Sequence, residues 1–188
     1  MMRSQLALAF ALMVMGLAAV PASAAHWTVD AAKSKLGFSV SWSNEPFVGV
    51  FKSWKADIDF DPADLPHAHA VVTVDLASET SDAPDSDDGI KGAPGFAVDK
   101  FPTARFATTR IRQVANGSYV AEAELTIRGV TKPVTLPFKL AFDGNRVHMT
   151  GKAAVDRSDY GVGRGEWAAP TPVSHAVTVT VDLNAAKS

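Results

Sequence analysis

Five histidines, a cluster of four aspartates and the absence of cysteine bound the chemistry open to this 188-residue chain. Without cysteine there is no thiol nucleophile, zinc–thiolate site, iron–sulfur cluster or disulfide. The histidines are His26, His67, His69, His148 and His175. His67-Ala68-His69 puts two imidazoles on one side of an extended segment, a start for a metal site. No third ligand lies near in sequence and the pair follows Pro66 in a turn, so solvated loop histidines are the better expectation. Asp82, Asp85, Asp87 and Asp88 suggest calcium. A calcium loop, however, needs alternating carboxylates, glycine at its sixth position and a terminal glutamate. Here Gly89 falls at the fifth position from Asp85 and the glutamate is missing, so an acidic first turn of a helix fits better. No serine sits in a G-x-S-x-G elbow. Gly161-Val162-Gly163-Arg164-Gly165 contains G-x-G without the strand and long helix that a phosphate cradle requires. Glu122 and Glu124 alternate with apolar neighbours and are expected to face solvent. The reading is a protein without catalysis, cofactor or metal.

The elements that would position these residues begin with an export signal. Arg3 precedes an apolar run from Leu6 to Val20, followed by Pro21-Ala22-Ser23-Ala24-Ala25. A basic start, an apolar stretch and a small-x-small site describe a signal peptide over 1–24, cleaved after Ala24. The run is short for a membrane span, which needs about 20 residues. The expected product is a single domain over 25–188 in the periplasm of a Gram-negative cell. The whole chain carries a formal charge of −2, and Arg3 is the only charged residue before Ala25, leaving −3 beyond it. An acidic domain without a Lys/Arg run is a poor partner for nucleic acid, and it lacks a polybasic membrane patch.

Beyond residue 25 the dominant period is two. Apolar stripes run through Leu36–Trp42, Trp54–Phe60, Tyr119–Ile127, Val134–Phe142, Val147–Val155 and Val177–Leu183. Such alternation predicts strands with one buried face. Asn116-Gly117 and Asp143-Gly144-Asn145 are hairpin signals, and Asp61-Pro62 and Gly129 to Pro133 mark further junctions. Pro133 and Pro137 predict a strand start and an edge or bulge. The count is about eight strands, as an antiparallel barrel or a sandwich. Thr80 to Phe101 breaks the rhythm and reads as a long loop with a short helix near Asp85–Lys91, either a lid or plain decoration.

The strands leave much apolar surface, including nine phenylalanines and four tryptophans beyond residue 25. An eight-stranded barrel is either filled by such side chains or holds one small ligand. Each buried methylene contributes about 0.8 kcal/mol, so eight would offset about 6 kcal/mol of ligand-ordering cost.

Specific segments then match a known family. Leu125-Thr126-Ile127-Arg128-Gly129-Val130-Thr131-Lys132-Pro133-Val134 resembles the strand–turn–strand signature of the YceI-like family. Val98-Asp99-Lys100-Phe101-Pro102 through Phe106 is similar to its F-D-V-x-K-Y-P-x-x-x-F segment. Arg157-Ser158-Asp159-Tyr160-Gly161 is similar to its N-R-S-D-F-G segment, and Trp27-Thr28-Val29-Asp30 with Gly37-Phe38-Ser39-Val40 fits its start. The resemblance spans residues 26 to 184. It implies an all-β, eight-stranded antiparallel lipocalin-like barrel with an elongated apolar cavity. The implied ligands are polyisoprenoids or related long-chain amphiphiles, such as an isoprenoid quinone or a fatty amide or acid, carried or sequestered in the periplasm. It brings no catalytic residues. The family's Arg-Asp…His-Leu helix pattern meets Ser86, Asp87, Gly89 and Ile90 here, followed by Gly95-Phe96-Ala97. Head-group contacts from that helix are therefore not carried over.

Candidate lining residues are Phe38, Val40, Trp42, Phe47, Trp54, Phe96, Phe106, Leu125, Ile127, Phe138, Leu140 and Met149. Each has packed core as its alternative, because alternation does not say which apolar face meets the cavity. Arg157, Ser158, Asp159 and Tyr160 could fix the mouth or a head group, or form a turn held by side-chain hydrogen bonds. The competing function, which the family resemblance implies, is an accessory module for a membrane electron carrier of cytochrome b561 type. A homodimer and a membrane-protein partner stay open.

Overall fold

A computed structural model describes residues 24–188; the expected signal peptide over 1–24 lies outside them but for Ala24. The chain forms β1 (Trp27–Val29), β2 (Lys35–Trp42), β3 (Glu45–Phe51), β4 (Trp54–Asp59), β5 (His69–Asp75) and β6 (Glu79–Ser81). The single α-helix among the described residues, α1 (Pro84–Lys91), follows. Then come β7 (Thr103–Ala115), β8 (Ser118–Ile127), β9 (Val130–Asp143), β10 (Arg146–Asp156) and β11 (Val173–Lys187). Every paired neighbour is antiparallel, and the order along the sheet is β4-β5-β7-β8-β9-β10-β11-β2-β3-β6.

That path ends where it began. β4 continues β3 after the break at Lys52 and Ser53, and β6 continues β5 after a single 3-10 turn over Leu76–Ser78. At the crossing the Lys52 N–H donates to the Ser78 carbonyl at 3.2 Å, and the Asp75 N–H to the Ser53 carbonyl at 3.0 Å. The sheet thus curls round as eight ribbons, two of them broken, in a lipocalin-like arrangement. The eight strands expected become eleven because of these two breaks and because β1 adds a short strand on β11.

Turn chemistry falls where the sequence placed it. Gly117 and Gly144 both take positive φ, at the β7–β8 and β9–β10 hairpins. β9 begins at Val130 rather than at Pro133, the expected strand start. Its first half pairs only with β8, since contact with β10 starts at Phe138. Pro133 and Pro137 therefore sit where one side of the strand has no ladder to supply, an edge environment.

The interior is divided along the barrel axis. Near the β7–β8 and β9–β10 turns it is filled: Trp27, Phe60, Ile111, Tyr119 and Phe138 form one buried cluster. Trp27 closes this end, its indole N–H donating to the Phe60 carbonyl at 2.8 Å. At the other end a second cluster, of Leu36, Val74, Leu76, Phe96 and Ala104, surrounds open space.

Candidate functional site

The open end holds a cavity of about 250 Å³ that exposes only apolar surface, although Arg105 and Arg157 are among the residues lining it. Its residues come from the inward phase of nearly every strand. β2 supplies Leu36, Phe38, Val40 and Trp42; β11 supplies Val177, Val179, Val181 and Leu183. Register explains the agreement: Phe38 faces Val179 and Val40 faces Val177, and directly opposed residues share a face. An aromatic path runs along one side. Ring centroids are 6.2 Å apart from Trp167 to Trp42, 5.7 Å on to Phe47, 6.3 Å to Phe38, 5.8 Å to Phe51 and 6.0 Å to Phe96.

The segment from 80 to 101 covers this end. Ile90 of α1 and Phe96 after it both line the cavity. The cover is tied down at several points. Asp87, folded back from the first turn of α1, accepts the Ser81 N–H at 3.1 Å and the Ser81 hydroxyl at 2.5 Å. Burial opposes its charge, but these bonds hold its carboxyl below the ordinary carboxylate range. Gly95 lets the chain turn tightly, since a Cβ there would fall 1.9 Å from the Ile90 carbonyl oxygen. The Gly163 and Arg164 N–H groups both donate to the Pro94 carbonyl, at 2.8 and 3.0 Å. The aspartates are thus partly structural: Asp85 and Asp87 occupy the first turn of the helix.

Phe38, Val40, Trp42, Phe47, Trp54, Phe96, Phe106, Leu125, Ile127 and Met149 all stand on the cavity wall. Phe138 and Leu140 do not. Their stripe on β9 runs towards the filled end, where Phe138 stacks on Tyr119 at 5.4 Å and Leu140 packs against the same cluster. Tyr119 in turn meets Phe60 edge-on at 5.3 Å. The same stripe reaches the cavity only through Val134 and Leu136.

Arg157 reaches the cavity wall, but its donors are spent. Nε donates to the Ser174 carbonyl at 2.9 Å; Nη1 to Val162 and Gly163 at 3.0 and 3.3 Å; Nη2 to Ala169 and Val173 at 3.2 and 2.7 Å. A guanidinium has five N–H donors, and each of these five bonds takes a different carbonyl. The side chain is a buried peg that knits the loop 161–173 to β11, not a free hand for a head group. Ser158 and Asp159 are exposed and Tyr160 is buried. Asp156 accepts the Ser158 N–H at 2.8 Å and its hydroxyl at 2.6 Å. Arg157 to Tyr160 is therefore a turn held by side-chain hydrogen bonds.

Several wall residues escaped the sequence reading. Phe51 and Trp167 lie in segments without a clear alternating stripe, and no local signal marks them. Val72, Val74 and the β11 valines do alternate, and only the closure of the barrel shows that they face the cavity. Off the cavity wall, the least expected buried residue is Glu79. It is 1% exposed, and neither carboxylate oxygen has a hydrogen-bond partner among the described residues. It pairs with Phe51 on β3, which puts it on the inward face. Gly49 makes room, since a Cβ there would lie 2.8 Å from Glu79 Oε1 and 2.5 Å from the Phe38 ring. Burial, together with the charge of Asp87 and against that of Lys91, pushes the Glu79 carboxyl up to about 7.

The histidines stand outside the barrel. His67 bonds Asp64 at 2.7 Å, while His69 approaches Asp59 at 3.6 Å, so the two imidazoles turn to different carboxylates. His26 lies 2.8 Å from Asp59 and 3.8 Å from Asp57 in an exposed group.

The same architecture occurs in known proteins. A family model described as the YceI-like domain matches residues 27–185. A UPF0312 protein of Vibrio cholerae is 28% identical over 165 residues, covering 80% of this chain and 87% of that one. A UPF0312 protein of Shewanella baltica is 30% identical over 155 residues, covering 78% and 81%. Among solved structures, Burkholderia cenocepacia BcnA has a TM-score of 0.81 at 31% identity, over 84% of this chain and 99% of that one. A domain from Saccharophagus degradans, described as polyisoprenoid binding and implicated in plant cell wall breakdown, has a TM-score of 0.65 at 16% identity. It covers 87% of this chain and 99% of its own, and at that identity it speaks for the fold alone. The family model takes in the barrel from β1 to β11 and so accounts for the cavity and its cover together: the chain belongs to the YceI-like family.

Proposed function

We propose that this protein binds a long-chain apolar amphiphile, such as a polyisoprenoid, an isoprenoid quinone or a fatty amide or acid, in the barrel cavity. It carries or sequesters the molecule without transforming it. The observation that carries this reading is the cavity of about 250 Å³, exposing only apolar surface, at one end of a barrel whose other end is filled by a buried cluster. A chain in this cavity would lie along the aromatic path beneath the 80–101 cover. Each methylene moved there from water contributes about 0.8 kcal/mol, and a flexible chain loses part of that gain to ordering. The Saccharophagus degradans domain, alike in fold, is described as polyisoprenoid binding, and the proposal extends that ligand class to this chain on the strength of its own cavity.

The reading extends to the compartment: export on the 1–24 signal, cleavage after Ala24 and work in the periplasm. An accessory role beside a membrane electron carrier would be favoured by a filled barrel, and the open cavity points away from it. The test is titration with a fluorescent fatty amide and its competition by polyprenols and quinones. Saturable binding displaced by one of these classes supports the reading; no binding by any of them refutes it.

A further inference from the structure

The cover over the cavity has a second side. There a pocket of about 410 Å³ is lined by Lys91, Lys100, Arg128 and Arg164, with Asp99 the only acid on its wall. Phe101 also lines it: the Lys100 ammonium lies 5.3 Å and the Arg128 guanidinium 5.8 Å from its ring centroid. The two pockets share one wall, one residue out of step. Ile90, Phe96, Ile127 and Gly163 line the apolar cavity, and their chain neighbours Lys91, Ala97, Arg128 and Arg164 line the basic pocket.

The cations come from four separated stretches of an acidic chain, and they are short of partners. Ion pairs among the described residues involve Lys33, Arg112 and histidines, and none of these four. Arg128 is set at the β8–β9 turn in left-handed backbone, φ 52°, and is pinned by Nη1 bonds to the Ala93 carbonyl, at 3.0 Å, and the Gly95 carbonyl. Its Nε is buried with no acceptor among the described residues. Burial and then the charge of Arg164 hold its guanidinium below its ordinary value, a sign that the two cations repel. Arg164 gives Nε to the Gly161 carbonyl at 3.2 Å, leaving its other donors for a ligand.

We propose that this pocket is an anion site for a phosphate or pyrophosphate group, bound by Lys91, Lys100, Arg128 and Arg164. On the pocket wall four positive charges face the one carboxylate of Asp99, and even with Lys91 also acting on Asp87 and Glu79 behind it the excess calls for more than one negative charge, which a phosphate-type group supplies and a single carboxylate does not. Arg164, with Nη1 and Nη2 unspent, offers the planar donor pair that suits phosphate oxygens, and Arg128 adds its Nη2 donors beside it. The group is either a free anion or the head of the molecule whose chain fills the cavity. The second source rests on the function proposed above; the anion site itself does not.

Calorimetric titration of the purified protein with three probes separates these cases: inorganic pyrophosphate, farnesyl diphosphate and farnesol. Each is repeated on the Arg128→Gln/Arg164→Gln double variant and on the exposed Lys100→Gln variant, with thermal melts and farnesol affinity reporting that the barrel is intact. Inorganic pyrophosphate that binds the native protein and weakens at least about tenfold in the double variant supports the site as a free-anion site. Farnesyl diphosphate that binds at least about tenfold tighter than farnesol, an advantage lost in the double variant and reduced in Lys100→Gln, supports the head-group source. Inorganic pyrophosphate binding with no farnesol binding keeps the anion site and counts against the cavity reading. The proposal is overturned if pyrophosphate does not bind and farnesyl diphosphate has no advantage, or if the advantage survives in both variants.

Discussion

Exchanging Glu79 for glutamine should change how stability responds to pH. The carboxyl is buried on the inward face with no hydrogen-bond partner among the described residues, and its affinity for a proton rises from an ordinary 4.5 to about 7. The groups whose charges act on it are Asp87 and Lys91 of α1; across the sheet it pairs with Phe51 and lies by Gly49, which carry none. Because the folded state holds the proton more tightly than the unfolded chain, the contribution is fully present below about 4.5. It is lost as pH rises through about 7. A shift of this size, discounted for screening by water, corresponds to about 2 kcal/mol. Glutamine keeps the shape of the neutral acid and cannot ionise. Urea unfolding of both proteins from about pH 5 to about pH 8.5 should therefore show the native protein losing about 2 kcal/mol more than Glu79→Gln. Every other ionisable group is common to both proteins, so the comparison isolates Glu79. Asp87, held below the ordinary range, titrates beneath this window. Parallel stability curves would show that Glu79 is solvated or paired in solution, and the reasoning from its burial would fail.

Other substitutions test other parts of the structure. Arg157→Lys keeps the charge but offers three donors in place of five, stranding carbonyls among Val162, Gly163, Ala169, Val173 and Ser174. Chemical denaturation should show a loss of about 3 kcal/mol, and a loss below about 1 kcal/mol would mean that the peg is dispensable. At Gly163, φ is 81° and a Cβ would fall 1.8 Å from Arg157 Nη1, so Gly163→Ala should lower the melting temperature, checked by calorimetry. Val72→Trp puts a large ring into the cavity from its wall. It should weaken binding of a fatty-chain probe at least about tenfold while costing no more than about 2 kcal/mol of stability, measured by fluorescence titration and urea melts.

Much of the barrel was legible because its strands have one wet face. The stripes on β2, β8, β10 and β11 are all seen facing inward, and ten of the twelve apolar residues singled out stand on the cavity wall. Phe138 and Leu140 show the limit of that logic. Period two tells which face of a strand is buried, but not how far along the barrel axis a residue sits, and these two fall beyond the point where the interior is filled. The breaks that divide β3 from β4 and β5 from β6 leave no strong mark either, since their residues serve a crossing that exists only once the sheet has curled. The basic pocket was invisible for a related reason. Lys91, Lys100, Arg128 and Arg164 are scattered singly through an acidic sequence, and only the strap at 92–97 brings them together. The Arg157 motif was visible, and the structure gives it a mechanical role, because five carbonyls rather than a ligand take its donors.

The claim on which the rest depends is that the cavity holds a long apolar chain. Native mass spectrometry of the gently purified protein, paired with organic extraction of the same sample, addresses it directly. A mass above that of the polypeptide, resolving on extraction into an isoprenoid, quinone or fatty amide or acid and diminished in Val72→Trp, is the expected result. A bare polypeptide mass, together with no uptake of added polyprenols, polyprenyl phosphates, quinones or fatty amides, would contradict it.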